Sequence, residues 1–255
     1  MSANRPLAGR GIVITRPARQ AAQLADLIEA RGGRAILFPV MEILDVEDRS
    51  TLDAIIDRLD DFDLAIFISP NAAAKGWEAV RARRTFPQKL KIAAIGRASA
   101  RELRKMGASR VLAPKEGADS ESLLELPELK AVSGQRIVVF RGAGGRELLR
   151  DSLVARGASV EYAECYRRLR PDVDAGPLVR SWDEVDGVVV TSSEGLRNFH
   201  DMLGIAGRER LARTPLFVPH PRIAATAREL HLDAIVTGPG DEGIAASLSE
   251  HLGAR

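Results

Sequence analysis

The sequence of 255 residues predicts an α/β protein of two doubly wound domains, each a parallel sheet covered by helices on both faces. Three observations predict it. Short apolar runs alternate with amphipathic helical patterns along the whole chain, the order that produces parallel sheets sandwiched between helices. The phrase GIVITRP at 11–17 returns as RIVVFRG at 136–142. The chain is 45% hydrophobic but only 4% aromatic, so it can fill two modest cores, mainly with Leu, Ile, Val and Ala.

Taken in order, the apolar runs that read as strands are GIVIT (11–15), AILFPV (35–40), LAIFIS (64–69), KIAAIG (91–96), RVLAP (110–114), RIVVF (136–140), SVEYAECY (159–166), GVVVT (187–191), LFVP (216–219) and AIVTG (234–238). Helical periodicity covers 17–31, 71–83, 98–106, 146–156, 194–203 and 223–230, and each half closes on a further helical stretch, DSESLLEL and DEGIAASLSEHL.

The recurrence extends well beyond the opening phrase. Ile12, Val13 and Arg16 match Ile137, Val138 and Arg141, and LADLIEARGG (24–33) faces LRDSLVARGA (149–158). LAIFISPNAA (64–73) resembles GVVVTSSEGL (187–196), and 91–114 resembles 216–239, with AREL in both. Any two strand–turn–helix units share some pattern, but several units in one order at a nearly constant offset favour internal duplication. A period of about 125 residues means two similar domains rather than a solenoid. PVMEILDVED (39–48) and YRRLRPDVD (166–174) sit at matching places and are extended, charged and proline-bearing, so both read as linkers. If both cross between lobes, one lobe is 44–166 and the other joins 1–39 to 171–255, with 40–43 and 167–170 as connectors. A split into halves near 133 is the rival division.

Composition narrows the function. Net charge is +2 with 28% charged residues, a mixed surface without a nucleic-acid-binding stripe or tail. Cys165 is the single cysteine, which excludes a disulfide framework and points to a reducing compartment. No apolar run reaches the length of a membrane span and the first ten residues lack a secretory apolar stretch, so a cytoplasmic protein is expected. The four histidines lack metal-ligand spacing and no GxSxG elbow is present.

In open parallel sheets ligands bind at the carboxyl ends of the strands. Those ends carry Arg16, Ser69 with Asn71, Ser99, Arg141 with Gly142 and Arg146, Thr191 with Ser192, and Arg222, each where a helix begins. Free N–H groups at helix starts favour anions, although Ser and Thr also cap helices for structural reasons. Six such turns, several with arginine, point to a polyanionic ligand. RGAGGREL is neither GxGxxG nor GxxxxGK[ST], so nucleotide binding is weakly supported, whereas carboxylates suit the same donors. Tyr166 ends an apolar strand beside a linker, a place that also suits an amphipathic tyrosine with no chemical task.

TRPARQAAQLADLIEARGGRAILFPVMEI, FISPNAA, AAIGRASARELRKMG, FRGAGGRELLRDSLVARGASVEYAECYRR and VVVTSSEGL, in this order over nearly the whole chain, resemble the uroporphyrinogen-III synthase family. VPHPRIAATAREL is similar to the version in a bacterial branch of that family. The resemblance implies two flavodoxin-like parallel-sheet lobes joined by a two-stranded connector with the active site in the cleft, and so favours the interleaved division. It implies the substrate hydroxymethylbilane, an octacarboxylate, closed with loss of water and inversion of ring D, with no cofactor and no metal. It places Tyr166 as the candidate acid, Ser99 where many members have threonine, and Ser69 and Ser192 at paired strand-end turns. A threonine role at Ile223 does not transfer, which leaves Arg222 as a candidate donor. Hand-over of substrate from the enzyme that forms it, and a monomeric state, are further expectations. The competing class is a non-catalytic two-lobed module that binds an anionic metabolite.

Overall fold

A computed structural model describes residues 5–144 and 147–253. The chain divides into two compact units, one made of Met1–Glu42 and Leu169–Arg255, the other of Ile43–Arg168. Among the described residues ten strands form two five-stranded sheets: β1 (Gly11–Ile14), β2 (Arg34–Leu37), β3 (Glu42–Leu44), β4 (Leu64–Phe67), β5 (Lys91–Ala94), β6 (Arg136–Gly142), β7 (Ser159–Leu169), β8 (Gly187–Val189), β9 (Leu216–Val218) and β10 (Ile235–Val236).

In the first unit the strand order is β10-β9-β8-β1-β2, all parallel. Counted within the unit this is 2-1-3-4-5, the flavodoxin-like arrangement. In the second unit the order is β3-β7-β6-β4-β5, with β7, β6, β4 and β5 parallel. The duplicated phrases occupy equivalent places. Gly11 pairs with Arg34 as Arg136 pairs with Ser159, and Ile12 pairs with Gly187 as Ile137 pairs with Leu64. In each sheet the central strand and its β2-like neighbour come from one half of the sequence, and the remaining repeat strands from the other. Short β3 lies beside β7 at the edge of the second sheet, so the two extended, charged segments that connect the units run side by side.

The apolar pattern explains the burial. β1, β4, β8 and β9 are buried at every residue, as parallel strands covered on both faces must be. Successive side chains alternate between faces, so each sheet feeds two cores. In the first unit Val13, Val188 and Val190 join Leu196 and Phe199 on one face, while Ile12, Ile14, Val189 and Phe217 join Leu24, Ile28 and Leu248 on the other. In the second, Ala65, Phe67, Val138 and Phe140 face Trp77 and Val80, and Leu64, Ile66, Ile137 and Val139 face Leu123 and Leu153. Aliphatic residues dominate, but Phe67 and Phe140 stack at 4.6 Å in the centre of the second unit. Gly76, in the helix Pro70–Arg81, makes room for that stack, since a Cβ there would lie 2.6 Å from Phe140.

Two readings of the sequence are corrected. RVLAP forms no strand, only a single bridge from Leu112 to Ala93, because Pro114 removes a ladder donor directly after it. Helices Ser50–Asp57, Gly176–Arg180 and Gly204–Leu211 lie in stretches whose charged or glycine-bearing composition hid them; Ser50–Asp57 is set by Leu52, Ile55 and Ile56 buried on one face.

Cys165 on β7 is buried, and burial pushes its thiol from 9.0 up to about 12. The same cause, with the carboxylate of Glu147, holds Tyr162 at about 12. A group whose pKa is raised by folding stabilises the fold fully below its unfolded pKa and loses that contribution as pH climbs toward the folded value. Stability should therefore be flat from pH 7 to 8.5 and fall between about 9 and 12, read as a declining urea midpoint. Iodoacetamide should label native Cys165 at least about 100-fold more slowly than the urea-unfolded chain at pH 8.5.

Candidate active site

The carboxyl ends of β4, β6 and β7 bring together Ser69, Gly142 and Tyr166. Ser69 caps the helix Pro70–Arg81: its Oγ accepts the Ala72 N–H at 2.9 Å, and Pro70 at the first helical position needs no partner of its own. The same Oγ lies 3.1 Å from the phenolic oxygen of Tyr166. Tyr166 is 4% exposed, and its ring lies against the end of β6 because residue 142 is glycine: a Cβ there would sit 2.6 Å from the ring. The ladder between β6 and β7 slips at this point, Arg141 facing Glu164 but Gly142 facing Tyr166. The extra residue in β7 re-aims the tyrosine, as bulges do beside functional sites. Asn71 lies half-buried in the first turn of the same helix.

The first unit repeats the cap but not the phenol. Ser192 accepts the Gly195 N–H at 2.9 Å and starts the helix Ser193–Met202 as Ser69 starts its own. The residue 125 positions before Tyr166 is Met41, and the counterpart of Gly142 is Pro17. The duplication therefore leaves the hydroxyl pair on one unit only.

The arginines at these turns differ in availability. Arg141 is 2% exposed and braces its own loop. It donates to the Gly144 carbonyl, to Gly142 O at 3.3 Å and to Glu147 Oε1 at 3.2 Å, and its guanidinium lies 4.2 Å over the Tyr162 ring. Tyr162 donates to Glu147 Oε2 at 2.8 Å, and this bond, with that from Arg141, holds the Glu147 carboxyl below the usual range. Two backbone donors of this turn are also taken: Ala143 N–H bonds Tyr166 O at 2.8 Å and Gly144 N–H bonds Glu164 at 3.1 Å. Among the described residues these contacts tie the turn to β7, since a buried guanidinium must find acceptors within the protein. Arg146 lies outside the described residues.

Arg16 donates to Thr191 Oγ1 at 3.2 Å and to Asp241 at 2.5 Å, so the two predicted residues meet in the first unit, with the charge balanced by an aspartate that gave no signal in the sequence. Arg222 is exposed in the first turn of the helix Pro221–Glu229 and has no ion-pair partner among the described residues. His220 caps that helix itself, its Nδ1 accepting the Arg222 N–H at 3.0 Å, a role the sequence did not suggest. Ser99 is 1% exposed, and its hydroxyl has no hydrogen-bond partner among the described residues. Among those residues no cluster of three His, Cys, Asp or Glu side chains is placed to hold a metal, and no helix is long and apolar enough to cross a membrane.

Fold and site define a class: a duplicated α/β protein whose strand ends offer capped helix starts, hydroxyls and arginines, with a phenol–serine pair on one unit. The family described as uroporphyrinogen-III synthase HemD matches residues 22–243. The uroporphyrinogen-III synthase of Escherichia coli K12 is 34% identical over 223 residues, 86% of this chain and 91% of that protein. That of Salmonella typhimurium LT2 is 35% identical over 223 residues, with the same shares covered. In fold, the chain resembles uroporphyrinogen III synthases of Thermus thermophilus (TM-score 0.63, 20% identity, 94% of this chain and 96% of that one) and of Helicobacter pylori 26695 (TM-score 0.60, 13% identity, 95% and 99%). The chain belongs to the uroporphyrinogen-III synthase family, cyclising lyases of tetrapyrrole biosynthesis.

Two substitutions separate brace from site. Arg141→Ala removes a buried side chain that packs on Tyr162 and braces the loop, and should lower stability by about 0.5–3 kcal/mol in urea unfolding. Gly142→Ala forces the Tyr166 ring off Ser69. It should lower turnover about as much as Tyr166→Phe does, at a stability loss of about 1–3 kcal/mol; wild-type turnover in Gly142→Ala would show that the ring position is irrelevant to the chemistry.

Proposed function

We propose that this chain closes hydroxymethylbilane to uroporphyrinogen III, with loss of water and inversion of ring D, and that Tyr166 assists departure of the hydroxyl. The observation that carries the assignment of Tyr166 is its hydrogen bond to Ser69 at the carboxyl edge of the second sheet. Ser69 already accepts the Ala72 N–H at a helix start, so its own hydrogen is free to be given to the phenol oxygen. The phenolic hydrogen is then left for the substrate's hydroxymethyl oxygen. The C–O bond breaks, water leaves, and the terminal pyrrole becomes a cationic azafulvene. Ring D attacks it through its substituted carbon, giving a spiro intermediate. That intermediate fragments and recloses through the other ring carbon, which sheds a proton and restores the phenol.

Magnitudes decide which contribution dominates. Holding reacting carbons in the productive geometry supplies about 7–11 kcal/mol in favourable cases. A positioned acid contributes about 10²–10⁴-fold, or roughly 3–5 kcal/mol. The substrate closes unaided without inversion, so the protein's main task is conformational. Amide and hydroxyl donors and exposed Arg222 suit that task, since a polycarboxylate is held by charge-assisted bonds without titrating groups. This reading puts the reaction in the cytoplasm, takes substrate directly from the enzyme that forms it, and needs one copy of the chain.

The test is incubation with hydroxymethylbilane, oxidation and separation of the porphyrin isomers. Type III well above the spontaneous type I background is expected; type I alone overturns the reading. Tyr166→Phe should keep its circular dichroism and lose about 100-fold in kcat. Wild-type kcat/KM in that variant would remove the phenol from the chemistry.

A further inference from the structure

The helix Arg97–Lys105 begins at the end of β5, the strand next to β4. Neighbouring strands lie about 5 Å apart, so this helix starts about one strand spacing from the turn that carries Ser69, within the same unit. Its exposed face carries Arg97, Arg101, Arg104 and Lys105, at helical spacings of four, three and one, and these line an open groove of about 680 Å³ with Ala98. Arg104 reaches the Val111 carbonyl at 3.5 Å, and Lys105 lies 3.8 Å from Glu102. Arg97 and Arg101 have neither a hydrogen-bond nor an ion-pair partner among the described residues.

This placement opposes the stability of the helix. Like charges four apart on one helix face repel, and a cation in the first turn faces the positive end of the helix dipole. Gly96 caps the helix without a side-chain hydrogen bond, so nothing anionic offsets Arg97 from within. Some other arginines are neutralised, Arg83 by Asp53 and Asp57, Arg84 by Asp60, and Arg16 by Asp241, but these do not stand four apart on one helix face. The duplicated helix Pro221–Glu229 carries the repeated AREL with Arg228 where this helix has Arg101, and its two arginines, Arg222 and Arg228, stand six residues apart rather than four. The pair of arginines four apart is thus absent from the duplicated helix.

We propose that Arg97 and Arg101 form a carboxylate-binding site that grips side-chain acids of the polycarboxylate substrate away from the reacting carbons, with Arg104 and Lys105 extending the attractive field along the groove. Residues four apart on a helix stand about 6 Å apart, a spacing that suits two carboxylates on one flexible ligand. The inference rests on the proposed function for the identity of the ligand, and on the stripe for its location.

Two measurements test it on the full chain. The first is fluorescence titration with uroporphyrin, a stable octacarboxylate probe. The second is steady-state turnover of hydroxymethylbilane. The double variant Arg97→Ala with Arg101→Ala should raise the uroporphyrin Kd and the hydroxymethylbilane KM about tenfold, with kcat within about twofold. The gap from wild type should narrow between about 50 and 300 mM KCl. Arg97→Lys with Arg101→Lys should recover most of the loss. Arg81→Ala with Arg110→Ala, the same charge change elsewhere on the unit, should leave both constants unchanged. Equal Kd in wild type and the Arg97/Arg101 double variant overturns the site, as does an equal loss in the Arg81/Arg110 control. A wild-type chain that yields no type III isomer defeats the functional reading instead, and the uroporphyrin titration then decides the site alone.

Discussion

Strand β1 sits between β2 and β8, and its ladder to β8 joins residues about 175 positions apart. The ladder of β6 to β4 performs the same service in the second unit. Both central strands are almost wholly buried, so each contributes apolar side chains to two cores at once. A fully buried Val, Ile or Phe stabilises by about 1.5–3 kcal/mol, and that return is collected only when the strands from both halves of the sequence are in register. The strand-end turns, Ser69 and Ser192 among them, inherit their positions from these two ladders.

Duplication supplies two nearly equivalent sets of turns, and divergence gives them different work. Ser69 and Ser192 both cap helices, which is enough to explain a serine at each place. At Ser69 the cap has acquired a second partner, because a glycine and a strand irregularity let Tyr166 lie against it. With Met41 and Pro17 at the corresponding sites, the other unit cannot build the pair. A structural device common to both repeats thereby gains a phenol partner in one only.

Charge is distributed on the same principle. Arg141, Glu147 and Tyr162 form a closed network that fixes the loop after β6, and Arg16 is matched by Asp241. These arginines look like ligand donors when read from sequence, since each follows a strand and precedes a helix. In the fold they satisfy carbonyls and carboxylates of the protein itself. At the strand-end turns, Arg222 and Arg97 are exposed at helix starts and have no ion-pair partner among the described residues.

Read alone, the amino-acid order dictates the alternation of strands and helices, the repeat, the family, and the serines at the turns. All of these are written in patterns of period two or 3.6, or in ordered motifs along the chain. The helix Ser50–Asp57 escapes such a reading because its three apolar residues span little more than a turn. Packing in three dimensions settles which half supplies each strand, since several apolar runs are compatible partners and burial selects among them. It also settles which arginines are braces and which are free, and that Tyr166 meets Ser69. Partners such as Arg16 and Asp241, or Ser69 and Tyr166, are 225 and 97 residues apart, and no local pattern specifies where the end of a side chain will find its acceptor.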